Sequence, residues 1–538
     1  MYITPNTNVR LLKNIRLDLD YTHSISWQGK TATDMYNYYA GKTKYNLANY
    51  SYQRHSKESI KVAINCDLLY DCNYMMFQNS AYGNKWFYAF ITDVEYVNDN
   101  TSVVYYKIDV IQTWYFETWF EPCFVEREHT RTDNIGDNIQ PEPVAFGEYV
   151  ISDVTGYKAY TPFQNIATMV LVADDAYTYW GNLYDGTYSG CTLFAFLNSH
   201  ENFLKNISDF IKKYTDEGKP EAIIAMYTCP DYFVKENLSS LTNGWGRVVG
   251  FPESERYNFS ATPIKSGDAL GGGRSLSNKG YVPRNNKMYT YPYNFFHIDN
   301  SDGDGLELRY EFFDNLTPSF VCRNTITQPV SITLNPVNYK NSTSYYLPET
   351  LALSNYPLCS WIVDSYQAWI AQNAVPTLIK TKDTLIGVGA GALMASNPVT
   401  GALGAGLATT ALIGNTISKV YSASIKADIC KGSTRTNNVN VASKTQNFYG
   451  CRMSVNSDDA KTIDDYFTMF GYAINKVKTP STWNRENYTF IKTIGSQIEG
   501  NIPQKDLQEI NEIHDRGITY WRNGDIIGDY GVSNNPRG

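Results

Sequence analysis

Over roughly the first 130 residues, apolar and polar positions alternate with the two-residue period of a half-buried strand. Phe87–Tyr96 and Ser102–Val110 show it most clearly. They flank Asn98-Asp99-Asn100, a turn-forming cluster, so the pattern predicts a β-hairpin there. From about 131 to 350 the chain is punctuated by Gly, Asn, Pro and Asp between short Tyr-rich runs, which predicts a loop-rich β region. One helix is expected within it over Glu201–Tyr214, where Phe203, Leu204, Ile207, Phe210 and Ile211 share a face. Near the C-terminus, Ile463, Tyr466, Phe467 and Phe470 repeat at helical spacing, with Gly471 placed to stop the helix. A second helix is expected through Leu507, Ile510 and Ile513, opened by Pro503 and closed by Gly517, and Ile518–Trp521 then reads as a strand. Both helices are expected to bury a stripe against a sheet rather than present a site. No internal repeat of about 20–50 residues is visible.

A length of 538 residues suggests two to four domains at about 150 residues each. The 44 Tyr, 24 Phe and 10 Trp reinforce the β-rich reading and favour association, because aromatic rings bury large area while keeping a polar handle. A net charge of −8 argues against tight DNA binding, which gains affinity by neutralising phosphates. It suits a wall that DNA slides past. Nine cysteines, odd in number and without a CxxC pair, give neither a disulfide framework nor a zinc site, and point to synthesis in a reducing compartment. The first twenty residues have no apolar run of the kind a secretory signal needs, so export by another route, such as lysis, is expected.

One stretch departs from the rest: residues 384–418 carry no charge at all. Asn397-Pro398 reads as a turn that leaves two apolar arms, about 385–396 and 399–413. Leu385, Ile386, Val388, Leu393, Met394, Val399, Leu403, Leu407, Leu412 and Ile413 supply the apolar surface. Gly387 and Gly391, and Ala402 and Gly406, have the small-xxx-small spacing that lets helices approach closely in lipid. As helices the arms would reach only ~18–22 Å, short of the ~30 Å hydrocarbon core. Barrel-like alternation is absent. The stretch therefore reads as a conditional element, stored inside protein and released in several copies. A tightly packed helical hairpin in an ordinary core remains the alternative. Gly387-x-Gly389-x-x-Ala392 has the outline of a dinucleotide loop but lacks the preceding strand and the later acid.

Catalytic chemistry finds no support in the linear pattern. The six histidines never fall at metal-ligand spacing, and there is neither a nucleophile elbow nor a phosphate-binding loop motif. Asp299–Glu307 is rich in oxygen ligands but reads as a hairpin turn rather than a calcium loop. Gly271–Arg274 reads as a flexible loop. Arg127-Glu-His129 with Arg131 reads as a mixed-charge strand exit on a surface or subunit contact. The rings of Tyr289–Tyr293 could stack sugars or face a core. No enzyme, metal site or cofactor is expected.

The two ends carry a resemblance. Tyr74–Asn79, Tyr82–Phe90, Ile108–Trp114 and Phe124–His129, and later Gly471–Val477, Asp506–Ile510 and Gly517–Trp521, resemble the terminal blocks of tail knob proteins from small short-tailed phages with protein-primed replication. The resemblance implies a β-rich α+β multidomain subunit of a tube-forming hexamer, located at the distal tail of the virion and assembled in the host cytoplasm. It implies a DNA channel without specific binding, contacts with other tail proteins, and hydrophobic loops that enter the host cell membrane. On that reading 1–130 is a tube-forming β-domain and 131–350 a loop-rich middle. Residues 351–432 form the connection with the hydrophobic loop, and 433–538 an α+β part that packs with the first domain. Two other readings compete, a receptor- or wall-glycan-binding module without membrane activity and a wall hydrolase.

Overall fold

A computed structural model of the chain describes residues 6–50, 58–140, 142, 144, 147–153, 166–173, 191–219, 222–231, 234, 243–248, 263–272, 280–300, 305–325, 331–341, 349–353, 358–360, 431–433 and 448–537.

The alternating N-terminal pattern folds as a six-stranded antiparallel sheet. Its strands run in the order Thr43–Tyr50, Thr7–Lys13, Cys72–Gln78, Trp86–Asn98, Thr101–Ile108 and Ser59–Val62. The expected hairpin is present, with Asn98 opposite Thr101 and a two-residue turn of Asp99 and Asn100. Helix α1 (Ala32–Ala40) starts at a capping box in which Thr31 and Asp34 satisfy each other's backbone N–H groups.

The five-stranded sheet is built from both ends of the chain. In order it holds His23–Ile25, Ile518–Trp521, Tyr488–Ile494, Cys123–Glu128 and Tyr472–Lys478, and only the first pair is parallel. Helices α2 (Val110–Trp114) and α5 (Gln504–Arg516) pack beside it. One hydrophobic core therefore mixes Val9, Leu11, Tyr74 and Met76 with Tyr488, Ile491, Ile513 and Trp521. Burying these large side chains together is the main force that joins the chain's ends.

A second core lies under the remaining sheets. Tyr149–Asp153, Tyr449–Val455, Asn294–Asp299 and Gly305–Leu308 form a four-stranded sheet, and Phe320–Thr325, Ser331–Pro336 and Leu351–Leu353 a three-stranded one. A six-stranded antiparallel sheet runs Trp245–Arg247, Thr192–Leu197, Ile166–Val172, Ile223–Pro230, Leu358–Ser360 and Lys431–Ser433. Helix α3 (Phe203–Asp216) covers it as its stripe predicts, with Phe210 edge-on to Phe194, Phe196 and Trp245. The segment Asp299–Gly305 joins two paired strands, which is the hairpin expected there.

Two expectations are corrected. In α4 (Ser457–Phe470) the buried face holds Ala460, Ile463, Asp464, Phe467 and Thr468, whereas Tyr466 is 37% exposed and Phe470 half-buried. Ile463 and Phe467 are buried as expected, but the stripe is rotated away from Tyr466 and Phe470, because a polar side chain, Asp464, has partners inside. Arg127, Glu128 and His129 are not a surface: all three are buried at the junction of the two cores.

Candidate loop stem and the charged junction

The functional element expected from sequence, 384–418 with Leu385 through Ile413, lies outside the described residues. Its base does not. Leu358 pairs with Ser433, Cys359 with Gly432 and Ser360 with Lys431, so the strands that bracket 361–430 run side by side and antiparallel. Leu358–Ser360 in turn pairs with Ala225–Tyr227 of the strand Ile223–Pro230. That strand and its neighbour Ile166–Val172 are almost wholly buried. Chain 361–430 therefore leaves and re-enters at one point on the edge of a firmly packed sheet. Bringing the ends of so long a span together costs loop-closure entropy, which grows only slowly with length and is offset here by six strands of ladder hydrogen bonds.

The second feature is a set of buried charges where the chain's ends meet the middle. Glu142 accepts from Arg127 Nη2, from Lys287 Nζ and, at 3.0 Å, from the Ala473 backbone N–H. Arg127 Nη1 also donates to Gly471 O at 2.6 Å, and Lys287 Nζ to Gln140 O at 2.8 Å. Both cations lie against rings, Arg127 4.7 Å from Tyr466 and Lys287 5.5 and 5.3 Å from Phe467 and Tyr472. Burial, with the Arg127 charge adding to it, pushes the Lys287 ammonium down to about 7. Gly471 must be glycine: its φ is +64°, and a Cβ there would collide with the Glu128 carbonyl.

Further along α4, the Asp464 carboxylate accepts from Tyr281 Oη (2.7 Å), from the backbone N–H groups of Arg284 (2.9 Å) and Asn285 (3.0 Å), and from Asn285 Nδ2 (2.8 Å). His129 is fully enclosed. Its Nδ1 accepts from the Phe490 N–H at 2.8 Å and its Nε2 donates to Thr468 O at 3.1 Å, so the ring is neutral. Burial and the nearby Arg485 push it down to about 3. His514 in α5 is likewise buried between Ile510 O and Tyr520 Oη, and desolvation lowers it to about 4. Every carboxylate named is occupied by donors within the protein, and among the described residues no group of three or more His, Cys, Asp or Glu is placed to hold a metal.

Residues 262–535 match the family described as the C-terminal domain of the Bacillus phage phi29 tail knob protein gp9, and residues 5–119 match the caudoviral major tail protein N-terminus. The chain belongs to the tail knob protein family of phi29-like phages. Tail knob proteins gp9 of Bacillus phages PZA and phi29 are 26% and 25% identical to it, each alignment covering 99% of this chain and 99% of the relative. The solved structure of the bacteriophage C1 tail knob protein gp12 shares the fold, with a TM-score of 0.63 at 14% identity over 98% of this chain and 99% of that one. A tail knob protein is a structural component of the virion tail.

Of the residues singled out from sequence, the blocks behind the resemblance are brought together: Phe124–His129, Gly471–Val477 and Gly517–Trp521 lie in one sheet. Tyr289 and Tyr293 place their rings in the second core rather than on a glycan-facing surface. Glu142, Lys287 and Asp464 were not singled out. No linear signal marks them, since Lys287 finds its carboxylate 145 positions away.

Proposed function

We propose that the protein forms the distal part of a short phage tail as a ring of six copies, that DNA leaves through its lumen, and that the 384–418 segments close this lumen until contact with a cell releases them into the host membrane. Support for the reading comes from the paired stem at 358–360 and 431–433, which makes the uncharged stretch a tethered excursion from a rigid sheet. A tethered loop can change surroundings without unfolding its carrier. Inside a closed tube, six such loops satisfy one another. Once outside, their apolar side chains are costly to hydrate and lipid becomes the better solvent. Because several short loops share the opening, no single arm has to span the bilayer, and the small residues Gly387, Gly391, Ala402 and Gly406 allow close packing. An acidic chain with no net attraction for phosphate suits a conduit.

The test is dye release from liposomes by the full chain and by a variant with residues 384–415 replaced by a short Gly-Ser linker. Release by the first and none by the second is expected. Equal release from both removes the loop from the mechanism.

A further inference from the structure

The chain is acidic overall, yet three cations gather where residues 27–30, 481–487 and the C-terminal segment meet. The Arg522 guanidinium lies 3.5 Å from the centroid of the Trp483 ring and the Arg537 guanidinium 4.5 Å from the same centroid. The indole packs against Gly29, where a Cβ would overlap the ring. The backbones are fixed as well: Arg522 N donates to Asn487 O at 2.9 Å and Arg537 N to Asn484 O at 3.1 Å. Lys30 is close by, its Nζ 3.3 Å from the Arg522 carbonyl and 5.2 Å from the Trp27 ring centroid.

Among the described residues no carboxylate forms an ion pair with Arg522, Arg537 or Lys30, although other surface lysines and arginines in this chain do have such partners. Asp34, the acid that senses Lys30, is committed to Thr31 in the α1 capping box. Arg522 Nη1 is shielded from solvent and meets no acceptor among the described residues, while Nη2 reaches only Gln28 O at 3.5 Å. The Arg522 guanidinium is destabilised first by burial and then by Arg537, as expected for two like charges close together. Ring stacking fixes the planes of both guanidiniums, and the exposed Arg537 keeps its N–H edge open to solvent.

A carboxylate has two oxygens, and one guanidinium fork fills them. Two neighbouring guanidiniums, one of them exposed, with an ammonium close by, suit a group with more acceptor oxygens and a tetrahedral spread of charge. We propose that Arg522 and Arg537, splinted on Trp483 with Lys30 alongside, form a binding site for a phosphate group, either inorganic phosphate or the phosphodiester of a nucleic-acid backbone. The site is independent of the membrane loop and reads no base sequence, since phosphate contacts position without specifying.

The experiment is calorimetric titration of the full-length protein with inorganic phosphate at constant ionic strength, with acetate as control. Saturable phosphate binding is expected, weakened about tenfold in Arg537→Gln and again in Arg522→Gln. Arg522→Lys, which keeps the charge but loses the fork, should fall between. Arg537 and Lys30 are exposed, so Arg537→Gln and Lys30→Gln should melt like the parent and keep the test valid if the Arg522 variants misfold. A fluorescent single-stranded oligonucleotide separates the two sources. Its displacement by phosphate assigns the site to nucleic acid, whereas phosphate binding without oligonucleotide binding assigns it to free phosphate, and both uphold the proposal. Absence of saturable phosphate binding, equal affinity in all variants, or acetate binding as tightly as phosphate would overturn it.

Discussion

At the scale of single residues, stability turns on charges and histidines that have been taken out of water. Glu142 balances two cations at once, and its side chain is fully buried. Glu142→Gln keeps the shape but leaves Arg127 and Lys287 facing each other uncompensated, and is expected to cost about 3–5 kcal/mol in denaturant unfolding. Adding Lys287→Met to that variant should recover part of the loss; no recovery would mean that the two cations do not compete for this carboxylate. His129 sets a pH dependence whose sign is fixed by linkage. Its folded-state value of about 3 lies below the usual 6.5 or so, so the unfolded chain takes up the proton first as pH falls. Stability from His129 is thus complete above pH 6.5 and lost progressively toward pH 3, by roughly 5 kcal/mol at most. His514 adds in the same direction. Asp109, whose carboxyl burial lifts to about 6, opposes it between pH 6 and 4. Comparing unfolding midpoints at pH 7 and pH 4.5 for the parent and His129→Gln isolates the term: the variant should lose less on acidification, and an identical loss would contradict it.

Among elements, α4 illustrates how a stripe is chosen. Tyr466 and Phe467 are adjacent, both aromatic and both on the helical repeat, yet Phe467 is fully buried in the second core while Tyr466 lies over the Arg127 guanidinium at the rim. Phe467→Ala should therefore cost about 3–5 kcal/mol. Tyr466→Ala should cost only about 1 kcal/mol, the worth of a part-exposed cation–π contact. Similar losses in thermal or denaturant melts would show that the face of α4 is misassigned. The stem pair 358–360/431–433 is the other decisive element, because its antiparallel register alone turns a long connection into a loop with adjacent ends.

For the whole molecule, the consequence is that the termini cannot be separated from each other, whereas removal of 361–430 is expected to be tolerated. Four of the five strands in the junction sheet come from 123–128 and from residues beyond 471, and its fifth is 23–25. A chain truncated after Gly471 would expose Cys123–Glu128 and much of the N-terminal core, and is expected to be insoluble or molten by near-UV circular dichroism and dye binding. Removing 361–430 and joining the stem strands through a short turn should leave a cooperative thermal transition. A well-folded truncated chain would refute the shared core.

Local pattern determined a good deal by itself. The hairpin at 86–108, the helices around 203–216 and 504–516, the strand 518–521 and the stopping of α4 at Gly471 all follow from short-range periodicity and from glycine's tolerance of positive φ. The uncharged stretch 384–418 and the family resemblance were also legible there. Tertiary structure alone decided which residues became the junction. Arg127, Glu128 and His129 look like a solvated strand end because charge along a chain says nothing of what lies across it. Inside the fold they meet partners from elsewhere: Glu142 on Arg127, Lys478 on Glu128, and Phe490 and Thr468 on the His129 ring. Likewise Asp464 displaces an aromatic from the inner face of α4 only because Tyr281, Arg284 and Asn285 meet it there. The periodicity of one segment fixes that segment's shape. Burial of a charge depends on partners distant in sequence, and only the folded chain brings them within hydrogen-bonding reach.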